Sequence, residues 1–138
     1  MLELAAEEFA AAGLHGASME TLARRAGISQ ACVFRLFGTK KALFLQVVRR
    51  AFTRLIEGMD RAAEHTSGTG SVKVMGGYYD SVLADRTGLL VQLQAFAACA
   101  DHEVREVVRE HMARMWARGI RTRINAGLFE HLTEENNQ

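Results

Sequence analysis

The side chains best suited to chemistry lie close together, in and just after a short helical segment. Gln30 and Arg35 are the two long polar side chains of that segment, and such side chains hydrogen-bond base edges or phosphates. Thr39 is predicted to cap the next helix, which opens with Lys40 and Lys41 at the positive end of its dipole. Two cations there destabilise a helix unless an anion such as a phosphate binds them. The indicated chemistry is recognition of a nucleic acid.

Catalytic and metal-binding patterns are not found in the sequence. The segment His102–Glu106, HEVRE, lacks the second histidine of the HExxH zinc motif, and no Glu-x-x-His pair occurs. Cys32 and Cys99 are too few and too far apart to form a disulfide framework. We therefore predict no catalytic residue, no metal and no cofactor. Other histidines are scattered singly, at His15, His65, His111 and His131.

The first helix that must position the polar residues is predicted from Met19 to Ala26. Ser18 is a good N-cap, and the spacing of Leu22, Ala23 and Ala26 places them on one side. Gly27 can adopt the left-handed conformation of a sharp helix exit. The small Ala23 allows a second helix to cross closely.

The second helix is predicted over Gln30–Phe37, with Ser29 as its N-cap. Its inward positions are predicted to be Val33, Phe34 and Phe37. This spacing is typical of a helix-turn-helix, in which a small residue, here Ala23, is followed by a glycine four positions later, Gly27, and then by Val33. In that motif the second helix enters the major groove of DNA.

Positive charge is concentrated where this motif lies. Residues 18–50 contain seven cations against one acid, a surplus of +6, whereas residues 51–138 contain ten cations and twelve acids. Such asymmetry is typical of a nucleic-acid-binding element. We find neither a membrane-spanning run nor a signal peptide, so we predict a cytoplasmic protein without a membrane partner.

With no proline and hydrophobic residues spaced at helical intervals, the fold class is predicted as all-α. Leu89–Ala100 is nearly all apolar, which predicts burial on most sides. The tail from Thr133 is expected to fray. The remaining predicted elements are helices Leu2–Ala12 (closed by Gly13), Lys40–Glu64, Ser71–Ala84 and His102–Ala126, a loop at His65–Ser71 and a turn at Asp85–Gly88.

The N-terminal sequence resembles the DNA-binding domain of TetR-family transcriptional regulators. The matching segments are LAAEEFAAAG, GAS, METLARRAGIS and VFRLFGTKKALF. The resemblance implies a three-helix, homeodomain-like helix-turn-helix DNA-binding domain over residues 1–47. It also implies a helical ligand-binding and dimerisation domain over residues 48–138.

The resemblance also implies which residues contact DNA. In the family the lysine that opens the fourth helix touches the DNA backbone, which corresponds to Lys40. A tyrosine usually stands where this chain has Phe34, so Phe34 lacks the hydroxyl that reaches a phosphate. The predicted DNA-binding residues are Ser18, Thr21, Ser29, Gln30, Ala31, Phe34, Arg35, Lys40 and Lys41.

The chain is expected to be truncated relative to the family. It begins at the first helix, without the basic arm that many members carry. Family members usually continue for two more long helices that form the dimer interface, and nothing after Leu132 supplies them. The C-terminal domain is therefore expected to be incomplete.

A cavity for a small effector is implied in the C-terminal domain. Methionines and aromatic residues with polar tips suit adaptable apolar sites, although each of these residues could equally be ordinary core. The predicted lining residues are Met59, Met75, Tyr78, Tyr79, Phe96, Met112, Met115 and Trp116.

The function predicted from these features is that of a transcriptional regulator. We expect a homodimeric repressor that binds a palindromic operator in double-stranded DNA and is released by a small-molecule effector. One alternative is a helical carrier or enzyme whose N-terminal helices serve protein contacts. Another is a DNA-binding factor that responds to no effector.

Overall fold

The computed structural model describes residues 1–64 and 69–135, and the regular structure within them is helical, which confirms the predicted all-α class. The chain is organised around the longest helix of its first half, α4, which contacts α1, α3, α5, α6 and α7. The helices are α1 (Leu2–Gly16), α2 (Met19–Ala26), α3 (Gln30–Phe37), α4 (Lys40–Ala63), α5 (Thr69–Ala84), α6 (Arg86–Ala97) and α7 (His102–Glu135).

Hydroxyl caps fix where α2, α3 and α4 begin. Ser18, Ser29 and Thr39 each accept a hydrogen bond from the backbone N–H three residues later, at 3.1, 3.1 and 3.0 Å. Each bond satisfies a backbone donor that the first helical turn leaves without a partner. The three predicted caps are confirmed.

Helix α1 does not end where the sequence predicted. It bends at Gly13, whose φ of 69° and ψ of −176° are not helical, and then continues to Gly16. A side chain at Gly13 would be strained by this φ, and its Cβ would lie 2.7 Å from Gln94 Oε1. The glycine therefore redirects α1 and allows α6 to approach it closely.

The start of α6 differs from the predicted turn at Asp85–Gly88. Asp85 is the N-cap, and its Oδ1 accepts a hydrogen bond from the Gly88 N–H at 3.2 Å. The prediction was wrong because aspartate and glycine favour turns and helix starts alike. The helix ends at Ala97, before the predicted Ala100.

Helix α6 is also less buried than its composition predicted. Val91, Gln92 and Ala95 are buried, whereas Leu93 and Phe96 are 52% and 44% exposed in the described chain. The prediction of burial on most sides was wrong, because one face of α6 packs on the core and the other does not.

Two further boundaries differ from the predicted ones. Helix α5 begins at Thr69, inside the predicted loop His65–Ser71, and residues 65–68 of that loop lie outside the described residues. Helix α7 continues past the predicted Ala126 to Glu135, so the described part of the tail from Thr133 is helical.

One hydrophobic core joins the N-terminal helices to those that follow. Phe9 of α1 meets Phe44 of α4 edge to face, with ring centroids 5.0 Å apart. The same core continues through Val48 to Val91 of α6 and Val104 of α7. The predicted domain boundary at residue 47 therefore lies inside α4 and within a shared core.

Candidate nucleic-acid interface

The corner between α2 and α3 is formed by Gly27. Its φ of 69° and ψ of 26° lie in the left-handed region, where glycine is favoured. Its N–H donates to the Arg24 carbonyl at 3.2 Å, and the Ile28 N–H donates to the Ala23 carbonyl at 3.1 Å. These bonds close α2 and turn the chain sharply into α3.

The two helices pack through small and branched residues, largely as predicted. Leu22, Ala23 and Val33 are at most 3% exposed. Phe34 was predicted to face inward, but it is 39% exposed. That prediction was wrong because Val33 and Phe37, four residues apart, share one face of α3. Phe34 lies about 100° around the helix axis from Val33.

The outer face of α3 carries the predicted base-reading residues. Gln30, Ala31, Phe34 and Arg35 are all exposed there. Leu36 is 59% exposed on the same short helix and was not among the predicted residues. Its position outside the Val33 and Phe37 stripe was the signal that could have identified it.

The candidates on and before α2 already make hydrogen bonds within the chain. The Ser18 hydroxyl caps α2, and the Ser18 backbone N–H donates to Glu8 Oε1 at 2.9 Å. Thr21 Oγ1 accepts from Arg24 Nη2 at 3.5 Å. Both residues are half-buried, and the hydrogen bond to Glu8 places Ser18 beside α1.

Lys40 ties the start of α4 to the end of α1. Its ammonium donates to the His15 carbonyl at 2.9 Å and to the Ala17 carbonyl at 3.2 Å. A cation near the last carbonyls of a helix is favourable, because those acceptors lack partners within the helix. Lys40 therefore stabilises this corner in the absence of DNA.

Lys41 forms ion pairs with two acids at the start of α7. Its Nζ lies 3.2 Å from Asp101 Oδ2 and 2.6 Å from Glu103 Oε1. Hydrogen bonding to Glu103 and Asp101 raises the pKa of Lys41 above its ordinary value. The Val104 N–H, together with Lys41, lowers the pKa of Asp101. Both charged forms are thus favoured.

The positive surplus found in the sequence is partly neutralised in the fold. Arg25 pairs with Glu7, and Arg50 pairs with Glu3. Acids of α1 therefore neutralise cations of residues 18–50. With Lys41, three of the seven cations of residues 18–50 have acidic partners outside that block. These acids lie far from the cations in the sequence, so the pairs could not be predicted from it.

Within the described residues, the predicted effector-binding residues border different spaces or the surface. Met59, Met75 and Met115 border a space of about 10 Å³, roughly what a single water needs. Tyr78 borders a separate cavity of about 350 Å³. Met112 is half-buried against the core. Three others are 38%, 44% and 64% exposed in the described chain, namely Tyr79, Phe96 and Trp116.

The part of the chain that the structure describes comprises residues 1–64 and 69–135. Among them, no three or more His, Cys, Asp or Glu residues are arranged to hold a metal ion. Cys32 and Cys99 are free thiols. No helix of the described ranges has both the length and the apolar character to cross a membrane.

The fold and the exposed face of α3 define a helix-turn-helix domain of the kind that binds DNA, continued by a helical bundle. A family model described as bacterial regulatory proteins, tetR family, matches residues 1–47. These 47 residues, which include the helix-turn-helix, are thus similar to that family.

Two known proteins are similar over longer parts of the chain. The HTH-type transcriptional activator FasR of Mycolicibacterium smegmatis is 34% identical over 67 residues, which are 49% of this chain and 31% of FasR. The chain therefore matches less than a third of FasR. The crystal structure of PfmR, a TetR family transcriptional regulator of Thermus thermophilus, has a TM-score of 0.60 at 20% identity. The match covers 87% of this chain and 70% of PfmR, and it supports the fold.

Proposed function

We propose that this protein is a DNA-binding transcriptional regulator that inserts α3 into the major groove. The observation that carries this proposal is the exposed outer face of α3, presented by the left-handed corner at Gly27. A helix held in this way fits the width of the major groove. The tetR family match over residues 1–47 supports the same function.

The proposed contacts divide into base readers and phosphate contacts. The amide of Gln30 suits adenine, the guanidinium of Arg35 suits guanine or phosphate, and Ala31 and Phe34 suit the thymine methyl group. Lys40 suits a phosphate. The remaining proposed contacts, nearer the groove edges, are Ser18, Thr21, Ser29 and Lys41.

We propose that the regulator acts as a homodimer on a palindromic operator in the cytoplasm. Two copies of α3 must lie about 34–36 Å apart to enter successive major grooves. Repression with release by a small effector is the proposed mode. Activation is a second candidate, because FasR, to which part of the chain is similar, is named a transcriptional activator.

Selection of genomic DNA fragments by the purified 138-residue chain tests DNA binding. We expect enrichment of a short palindrome, with affinity that falls steeply between about 50 and 200 mM salt. Failure to retain any fragment at low salt would contradict the proposal. A reporter driven by the enriched sequence then distinguishes repression from activation.

Gln30→Ala is the matched test of base reading. We expect this variant to relax sequence preference at one base pair, at a cost of about 1–3 kcal/mol for the preferred sequence. Gln46→Ala changes an exposed glutamine of α4 outside the motif and should leave the preference unchanged. Equal effects of the two changes would remove Gln30 from the proposed contacts.

A further inference from the structure

A cavity of about 350 Å³ lies between α1, α4, α5 and α6. Its volume is in the range of sites for small organic molecules. It is distinct from the small space bordered by Met59, Met75 and Met115. Its apolar wall includes Leu2, Ala6, Val47, Ala51, Leu55 and Val91.

Gln92 of α6 gives this cavity an unpartnered polar group. The residue borders the cavity and is 7% exposed, yet its side chain forms no hydrogen bond with the described residues. An amide without a protein partner at the wall of an open cavity pairs with water or with a ligand. An amide in this position is therefore available to donate to, or accept from, a bound molecule.

The cavity wall carries two arginines, Arg50 and Arg54, together with three acids, Glu3, Glu7 and Asp85. Arg50 and Arg54 both donate to one carboxylate oxygen, Glu3 Oε1, the Arg54 bond being 3.0 Å long. The other acids of the wall are engaged elsewhere, since Glu7 pairs with Arg25 and Asp85 caps α6. Two guanidinium groups thus share one acid, and each retains N–H donors in the fork geometry that suits carboxylates.

We propose that this cavity binds a small organic carboxylate that has an apolar body and a second hydrogen-bonding group. The carboxylate lies against Arg50 and Arg54, the apolar body fills the space between α1 and α4, and the second polar group pairs with Gln92.

Occupation of this site changes the contact between α1 and α4. Glu3 lies on α1, and its two arginine partners lie on α4, so a ligand carboxylate competes with Glu3 for them. Helix α1 supports the helix-turn-helix, which couples the ligand to the DNA-reading helix. This regulatory consequence rests on the proposed DNA-binding function, whereas ligand binding itself does not.

Calorimetric titration of the 138-residue chain, without DNA, tests the site with benzoate, 4-hydroxybenzoate and the neutral benzamide. We expect both acids to bind and benzamide not to bind. Arg54→Gln should weaken acid binding about tenfold or more. Arg49→Gln, which changes an exposed arginine of α4 outside the cavity wall, should leave it unchanged.

Gln92→Leu tests the second contact without removing charge. We expect 4-hydroxybenzoate to bind more tightly than benzoate in the unmodified protein, and this preference to disappear in the variant. Retention of the preference would overturn the role of Gln92. Absence of acid binding, or equal binding by Arg54→Gln, would overturn the site.

A separate measurement follows the regulatory consequence. Binding to the enriched DNA is titrated with and without the bound acid, and we expect a decrease in DNA affinity of about 5- to 150-fold. Acid binding that leaves DNA affinity unchanged would overturn the coupling but not the site. DNA binding without any acid binding would overturn the site but not the proposed function.

Discussion

Lys40 has two possible sets of partners for one ammonium group. In the free protein it donates to the His15 and Ala17 carbonyls, and so closes the corner between α1 and α2. Its position in the first turn of α4 also suits a DNA phosphate. An ammonium group has three donors and can serve a phosphate while keeping a carbonyl. Both roles therefore belong to the same side chain.

Lys40→Gln separates these two roles. We expect weaker binding to all DNA sequences and a salt dependence shallower by about one in the slope of log K against log salt. We also expect a loss of about 1 kcal/mol in the free energy of unfolding, because two carbonyls lose a charged donor. Binding isotherms at several salt concentrations and urea unfolding provide the two measurements.

Lys73→Gln is the control, because Lys73 is an exposed lysine of α5 outside the motif. It should alter neither the salt slope nor the stability. A Lys40 variant that is less stable but has an unchanged salt slope would restrict Lys40 to its structural role.

The roles of single residues could be predicted from the sequence where they depend on hydrogen bonds to nearby positions in the chain. Ser18, Ser29 and Gly27 act through bonds within a few positions, and their roles as caps and corner were correctly predicted. Phe34 was wrongly predicted to face inward, because the buried face of α3 is the one that carries Val33. The acidic partner of Lys41 was missed because it lies 60 positions away.

The packing of α5 on α4 depends on a close approach at Gly58. The phenol of Tyr78 lies directly over this buried glycine, so a Cβ at Gly58 would overlap the tyrosine ring. In an open helix an alanine is more favourable than a glycine by about 0.5–1 kcal/mol. At Gly58 we expect the overlap to reverse that preference, because the Tyr78 ring must shift to make room for the added Cβ.

Gly58→Ala is therefore expected to lower the free energy of unfolding by about 1–3 kcal/mol. Gly77→Ala is the matched control, because a Cβ at Gly77 of α5 meets nothing within 4 Å and should add stability. Urea unfolding measures both changes. Adding Tyr78→Ala to Gly58→Ala should remove most of the extra loss, and two simply additive losses would contradict the proposed overlap.

Element boundaries were predictable where a cap marks them and not where tertiary contact decides. The starts of α2, α3, α4 and α7 agree with the sequence. The break of the first helix at Gly13 was predicted, whereas the continuation of α1 beyond it to Gly16 and the approach of Gln94 from α6 were not. Similarly, most residues of α6 after Gly88 are apolar, so its composition could not indicate which side would face the core.

At the scale of the whole molecule, the motif and the helices after it share one core and are also tied at the surface. The all-α class and the helix-turn-helix were predictable, because both follow from local spacing. The 350 Å³ cavity was not, since its wall comes from four helices and includes Gln92, Arg50 and Arg54, none of which the sequence distinguished. Methionine and aromatic content predicted a different set of lining residues.

The ion pairs of Lys41 with Asp101 and Glu103 make the start of α4 dependent on the start of α7. The two carboxylates bind the ammonium group of Lys41, which is the group that would bind a DNA phosphate. Asp101→Asn combined with Glu103→Gln should free Lys41 for DNA, because asparagine still accepts the N–H groups of the α7 cap. We expect tighter DNA binding and a salt slope steeper by about one.

Glu106→Gln is the control for this double variant, because Glu106 lies on α7 and pairs locally with Arg109. It should leave the salt slope unchanged, since it does not contact Lys41. An unchanged slope in the double variant as well would show that Lys41 does not reach DNA when released. A steeper slope would mean that the acids at the start of α7 compete with DNA for Lys41.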